Sequence, residues 1–175
     1  MAGKIAHNSD AKKVKWCAPI TSNVSSYKAL LEKIAKSNAS RGHQMQPPAS
    51  EKEIELLRKE SKSKLGYALG KEHEIFLRLH NGFNFNGYSI YATKISPIAG
   101  YNDRFIDGFI EANLQYHEAE GFRKYIFFGQ TGGALYVYDK TSKVFAEIDS
   151  VSTDAYEKFK TFDGMVTHIL KLSLM

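Results

Sequence analysis

The sequence predicts a single α+β domain, a mostly antiparallel sheet with helices packed on one face. Three observations carry that expectation. Up to about residue 80, apolar residues recur at the three-to-four spacing of amphipathic helices. Beyond about residue 88 the apolar period drops to two, as in half-buried strands. Between the two regimes lies His80-Asn81-Gly82-Phe83-Asn84-Phe85-Asn86-Gly87-Tyr88-Ser89-Ile90-Tyr91. It reads as a helix stop at Asn81-Gly82, a tight loop, and a strand start after Gly87.

Length and composition set the bounds. A chain of 175 residues allows one domain with a sizeable core. The lone cysteine, Cys17, excludes an internal disulfide and a cysteine-cluster metal site, and it suits a reducing compartment. Nothing in its sequence neighbourhood activates it, so it reads as a small hydrophobe. No apolar run approaches the roughly 18 residues of a membrane helix. Met1–His7 lacks the apolar core of a signal peptide, so cytoplasmic residence is expected. The net charge is +5 and unevenly placed: residues 1–46 hold 8 Lys/Arg and 2 Asp/Glu, the remainder 16 and 17. Residues 1–21 read as a flexible basic leader, with Trp16 able to tack its end to the body, and residues 22–175 as the folded domain. A solvated arm accounts for such charge more simply than a nucleic-acid surface, which concentrates basic residues on a folded face.

In order, Val24, Tyr27, Leu30, Leu31 and Ile34 form the apolar stripe of a first helix over about 23–38. Residues 39–48, with Arg41-Gly42 and Pro47-Pro48, form a linker. Ser50-Glu51-Lys52-Glu53 is a capping box, opening a second helix with Ile54, Leu57 and Leu65 inward and Gly66 as its stop. A third helix over about 70–80 places Leu69, His73, Phe76, Leu77 and His80 on one face. Strands are expected near 88–93, 125–129, 134–139 and 143–149, all in one sheet with the second, third and last helices against it. Residues 94–104 read as a loop. Asp107 is expected to cap a short helix through about 117 that buries Ile106, Ile110 and Leu114 and ends at Gly121. Thr161 caps the last helix, and Asp163 in its first turn favours the helix dipole.

The sequence carries no recognisable motif of catalysis. There is no G-x-S-x-G elbow and no H-E-x-x-H. Gly129–Gly133 lacks the Lys-Ser/Thr ending of a phosphate loop and runs into a strand. His73 and His80 stand two helical turns apart, roughly 10 Å along the axis, without a third ligand; they read as core-edge side chains. Asp139 and Asp149 could approach at a sheet end as a glycosidase pair does, but turn capping is the commoner role. The strand aromatics alternate without Lys or Arg between 125 and 139, which favours cross-strand packing over base stacking. Neither an enzyme nor a cofactor nor a metal site is expected.

Specific order appears in Pro48-Ala49-Ser50-Glu51-Lys52-Glu53-Ile54, followed by Leu69-Gly70, Phe76-Leu77 and Asn81-Gly82. This resembles the opening signature of the SUKH superfamily, Pro-Ala-Ser-x-x-Glu-Ile and then Leu-Pro-x-x-Tyr-x-x-Phe-Leu-x-x-x-Asn-Gly. Phe85-Asn86-Gly87, Ile90-Tyr91, Phe109-Ile110-Glu111, Tyr125–Gly129, Tyr136-Val137-Tyr138 and Phe159 to Met165 are similar to its YrhA-like bacterial branch. The resemblance spans about 47–172. Gly70 stands where the family has Pro, and His73 where it has Tyr.

The resemblance implies an α+β fold in which Ser50, Glu53, Phe76, Leu77, Asn81, Gly82 and Gly87 are structural. It also implies a non-catalytic immunity protein that binds and neutralises a cognate toxin domain of a bacterial polymorphic toxin system. Yeast relatives are regulatory interaction scaffolds, which is the alternative; a nucleic-acid binder using the basic leader ranks behind both. The expected partner is a protein toxin domain, with no membrane and no specific nucleic acid. For the interface, residue chemistry points to Tyr101, Asp103 and Arg104 in the 94–104 loop, because Tyr with Arg is the usual make-up of binding hot spots. Phe83 and Phe85 in the central loop join them, unless they fold inward to plug the sheet.

Overall fold

The computed structural model describes residues 24–175; the basic leader at 1–21, with Trp16 and Cys17, lies outside the described residues. Five helices and eight strands follow one another: α1 (Val24–Ser40), α2 (Glu51–Leu65), α3 (Lys71–Leu79), β1 (Phe83–Phe85), β2 (Tyr88–Ile90), β3 (Ser96–Pro97), β4 (Phe105–Ile106), α4 (Phe109–Tyr116), a single 3-10 turn (Glu120–Phe122), β5 (Tyr125–Gln130), β6 (Ala134–Asp139), β7 (Val144–Asp149), β8 (Ala155–Phe159) and α5 (Phe162–Ser173). Six strands make one antiparallel sheet in the order β1-β2-β5-β6-β7-β8, and β3 and β4 pair separately. The fold is therefore α+β, as the periodicity predicts.

The expected caps are present. The Ser50 side chain accepts from the Glu53 amide, and the Ser50 amide donates to the Glu53 carboxylate at 2.9 Å. Those bonds from Ser50, backbone first, hold the Glu53 carboxyl below its ordinary range. Thr161 accepts from the Gly164 amide at the start of α5. Gly66 closes α2, and Gly82 takes φ +86 after α3.

The core lies between the sheet and the α3–α5 layer. Phe128 of β5 packs against His73, Phe109, Phe145 and Phe162, with ring centroids 5.1 to 5.7 Å apart. Such edge and tilted pairs add to the area they bury. α1 lies along α5, and α2 rests on α3 and α4. Phe76 and Leu77 are fully buried. His73 is core rather than core edge: burial pushes its imidazole down to about 3, and neither ring nitrogen has a hydrogen-bond partner among the described residues.

The structure corrects several expectations. The central stretch is a hairpin rather than a loop: Phe85 pairs with Tyr88, and Asn86 and Gly87 take φ 47 and 83. Two successive positive φ values make the tight turn that suits strand twist, and Asn-Gly is its preferred sequence. As a consequence Phe83 and Phe85 are 2% and 5% exposed and face the core, so neither is a free contact residue. The following strand stops at Ile90 instead of Thr93. The chain leaves the sheet there, with the Thr93 amide donating to the Asn81 side chain at 2.8 Å. Within 94–104, Ser96-Pro97 pairs with Phe105-Ile106. α4 begins at Phe109 with Gly108, not Asp107, at its cap; Ile106 lies in β4 and Leu114 is exposed. Gly121 sits in the 3-10 turn after the helix has ended. β8 was not expected, because its only half-buried side chain is Phe159 and no alternation marks it.

One feature of the sheet needs α4. β2 pairs with β5 at Gly129 and Gln130, the Tyr91 amide adds one bond to the Phe128 carbonyl, and the edge upstream of Phe128 is left open. A Cβ on Gly129 would stand 2.1 Å from the Ser89 carbonyl oxygen, so only glycine admits this approach. Upstream, Asn113 of α4 substitutes for a strand. Its Nδ2 donates to the Phe127 carbonyl and its Oδ1 accepts from the Phe127 amide, both at 2.8 Å. The ring of Tyr116 stacks on Phe127 at 4.3 Å, and His117 Nε2 meets the Tyr125 carbonyl at 2.7 Å.

Candidate functional site

The loop at 94–104 is held from both sides. Buried Gln46 donates to the Pro97 carbonyl at 3.0 Å and accepts from the Ala99 amide at 2.8 Å. Ile98, Ala92 and Ile106 form a small separate core beneath it. The Ile98 amide donates to the Arg104 carbonyl, and the Tyr101 amide to the Ile98 carbonyl. A surface loop anchored this way presents its side chains without a large ordering cost on binding.

What it presents is one wall of a cleft of roughly 270 Å³. The end of α1 and the turn after it supply Asn38, Arg41 and His43, the β1–β2 turn supplies Phe85 and Asn86, and the loop supplies Tyr101 and Arg104. Three aromatic contacts order these groups. The rings of His43 and Tyr101 stack at 4.5 Å, with the Tyr101 hydroxyl 2.9 Å from His43 Nε2. The Arg104 guanidinium lies 5.0 Å over the Tyr101 ring, and that of Arg41 lies 5.6 Å over Phe85. Arg41 also reaches Asn86 Oδ1 at 3.5 Å. Among the described ion pairs none involves Arg41 or Arg104. The Nδ1 atom of His43 is buried and without a hydrogen-bond partner among the described residues. Two guanidinium groups over rings, without carboxylate partners among the described residues and beside amide side chains, suit an acidic group that arrives from outside.

Of the interface residues expected from the sequence, Tyr101 and Arg104 come together here, and Phe85 forms the floor beneath Arg41. Asp103 is exposed but does not line the cleft, and Phe83 points into the core. Arg41 and His43 were missed. In the sequence they sit in an ordinary linker, and only the fold brings them across to the 94–104 loop.

The signature residues have structural tasks. Asn81 holds Thr93 by two side-chain bonds of 2.8 and 3.1 Å, and its amide donates to the Pro47 carbonyl. Glu53 also pairs with Lys94 at 3.2 Å. Asp139 and Asp149 accept the amides of their own turns, from Thr141 and Ser142 and from Val151 and Ser152. The Tyr156 hydroxyl, and then those turn amides, hold the Asp149 carboxyl down to about 2, the opposite of what a general acid needs. Among the described residues no cluster of three His, Cys, Asp or Glu could hold a metal ion, and no helix is long and apolar enough to cross a membrane. A scan of the chain against protein-family models gives no match, and a search of curated proteins gives none either.

Proposed function

We propose that the protein is a non-catalytic immunity protein that binds a cognate bacterial toxin domain and blocks it. The observation that carries this reading is the cleft in which Arg41 and Arg104 lie over Phe85 and Tyr101 without carboxylate partners among the described residues. Pre-positioned arginine and tyrosine at the centre of a surface cleft are the side chains on which protein interfaces most often depend. The ordered SUKH-like signature supplies the kind of partner, a toxin domain, and the cleft supplies the chemistry of the contact, an acidic segment of that domain.

The test is co-expression with the toxin domain encoded in the neighbouring reading frame. The wild-type protein should restore growth and co-purify with the toxin. The Arg41→Ala/Arg104→Ala variant should lose both while keeping its fold. A wild-type protein that neither protects nor co-purifies would sink the reading. Binding to a cellular partner instead would favour a regulatory scaffold, and tight binding of RNA or DNA that falls steeply with salt would favour a nucleic-acid surface.

A further inference from the structure

A second cleft, of roughly 540 Å³, opens between the residue after β2, the end of β5 and the C-terminal half of α4. Its polar centre is built from three elements. Tyr91, just past β2, is 1% exposed and donates its hydroxyl to Gln130 Oε1 at 3.3 Å. Tyr116, at the end of α4, donates to the same oxygen at 2.9 Å. Gln130 Nε2 reaches Asp107 Oδ2 at 3.5 Å. The parts are rigid: Tyr116 stacks on Phe127, and the Tyr91 amide donates to the Phe128 carbonyl at 2.8 Å. Glu118 and Phe122 complete the relevant wall, and among the described residues no Lys, Arg or His lines the cleft.

The donors and acceptors of the cleft decide what fits. A phenol has one proton to donate, and both tyrosines spend theirs inside this cluster, Tyr116 on Gln130 and Tyr91 between Gln130 and the Tyr116 oxygen. Burial raises both hydroxyls above their ordinary range, so both keep those protons at neutral pH. A ligand therefore meets phenolic lone pairs together with the carboxylates of Asp107 and Glu118. An anion, or a neutral group rich in acceptors, would set lone pair against lone pair. A flat cation with several N–H donors matches the oxygens and can lie against the rings of Tyr116 and Phe122.

We infer that this cleft is a receptor for a guanidinium group, carried by a free guanidine or by an arginine side chain of a protein. It is separate from the arginine-lined cleft, has the opposite polarity, and stands whether or not the toxin-binding reading does.

The probes are agmatine, the peptide acetyl-Gly-Arg-Gly-amide, and the same peptide with uncharged citrulline in place of arginine. Each is titrated into the full chain and followed by two-dimensional NMR of backbone and side-chain amides. The guanidinium probes should give saturable shifts at the Gln130 side-chain amide and around Asp107 and Tyr116, and the citrulline peptide should give none. Asp107→Asn should weaken binding about tenfold or more, since it removes a charge-assisted hydrogen bond. Its fold is safe because Asp107 is exposed and the backbone carbonyl that accepts from Ala92 is kept. Arg41→Ala/Arg104→Ala should bind agmatine as the wild type does. Shifts with agmatine alone assign the site to a free guanidine, and shifts with both assign it to a side chain. Equal binding of the citrulline peptide, an unchanged affinity in Asp107→Asn, or shifts confined to other surfaces would overturn the inference.

Discussion

Replacing Asn113 by Leu keeps the branched skeleton of four side-chain heavy atoms and removes its amide. The residue is 0% exposed, and its three bonds, to the Phe109 carbonyl and to the Phe127 amide and carbonyl, are each 2.8 Å. The Phe109 carbonyl still has its place in the helix, so its loss is small. The Phe127 amide and carbonyl would be left buried and unpaired on a strand edge that β2 does not reach. An orphaned buried backbone group costs about 1–3 kcal/mol, so two cost about 2–6 kcal/mol. Against a native stability on the order of 5–15 kcal/mol, that is a large fraction. Urea denaturation measures it as a fall in midpoint at constant slope, because the surface exposed on unfolding is unchanged. Amide exchange gives an independent reading: the Phe127 N–H should exchange slowly in the wild type and much faster in the variant. A loss below about 1 kcal/mol, with the Phe127 amide still protected, would show that the edge is held by something other than Asn113.

Three further outcomes follow from the same structure. Arg41→Ala/Arg104→Ala should abolish toxin protection while shifting the melting temperature by only a few degrees, since exposed substitutions cost about 0.5 kcal/mol or less; retained protection would move the interface elsewhere. Asp163 is buried at the start of α5, and desolvation, then the charge of Glu72, pushes its carboxyl up from 3.8 to about 6. The native state therefore holds this proton more tightly than the unfolded chain, and the stability it contributes is present below about pH 4 and lost as pH rises through about 6. Asp163→Asn should match the wild type near pH 4 and exceed it at pH 7 by about 1–2 kcal/mol after solvent screening, read from thermal melts at the two pH values; equal melts at pH 7 would refute the burial argument. Phe83→Ala should cost about 3–5 kcal/mol in chemical denaturation, as a truncated core aromatic does, and a near-neutral result would return Phe83 to the surface.

Whatever depends on neighbours along the chain was legible in the residues alone. The capping box at Ser50 and Glu53, the Thr161 cap, the change from helical to alternating period, and the antiparallel meander from β5 to β7 are local signals, and each is where it was expected. The Asn86-Gly87 turn was equally local, but strands of three residues on either side were too short to show an alternation. Tertiary structure decided the rest. Thr161 caps α5 as its residue type predicts, yet Asp163 two residues later is buried, and desolvation outweighs the helix dipole that favoured it. Asn113 reads as an ordinary helix residue until β2 ends early and leaves a strand edge to satisfy. Arg41 and His43 become part of a site only because Gln46 ties the 94–104 loop to the segment that follows them. Backbone propensity acts over a few residues, whereas burial, unpaired hydrogen-bonding groups and charge act through space, and their sign is set by what the fold brings alongside.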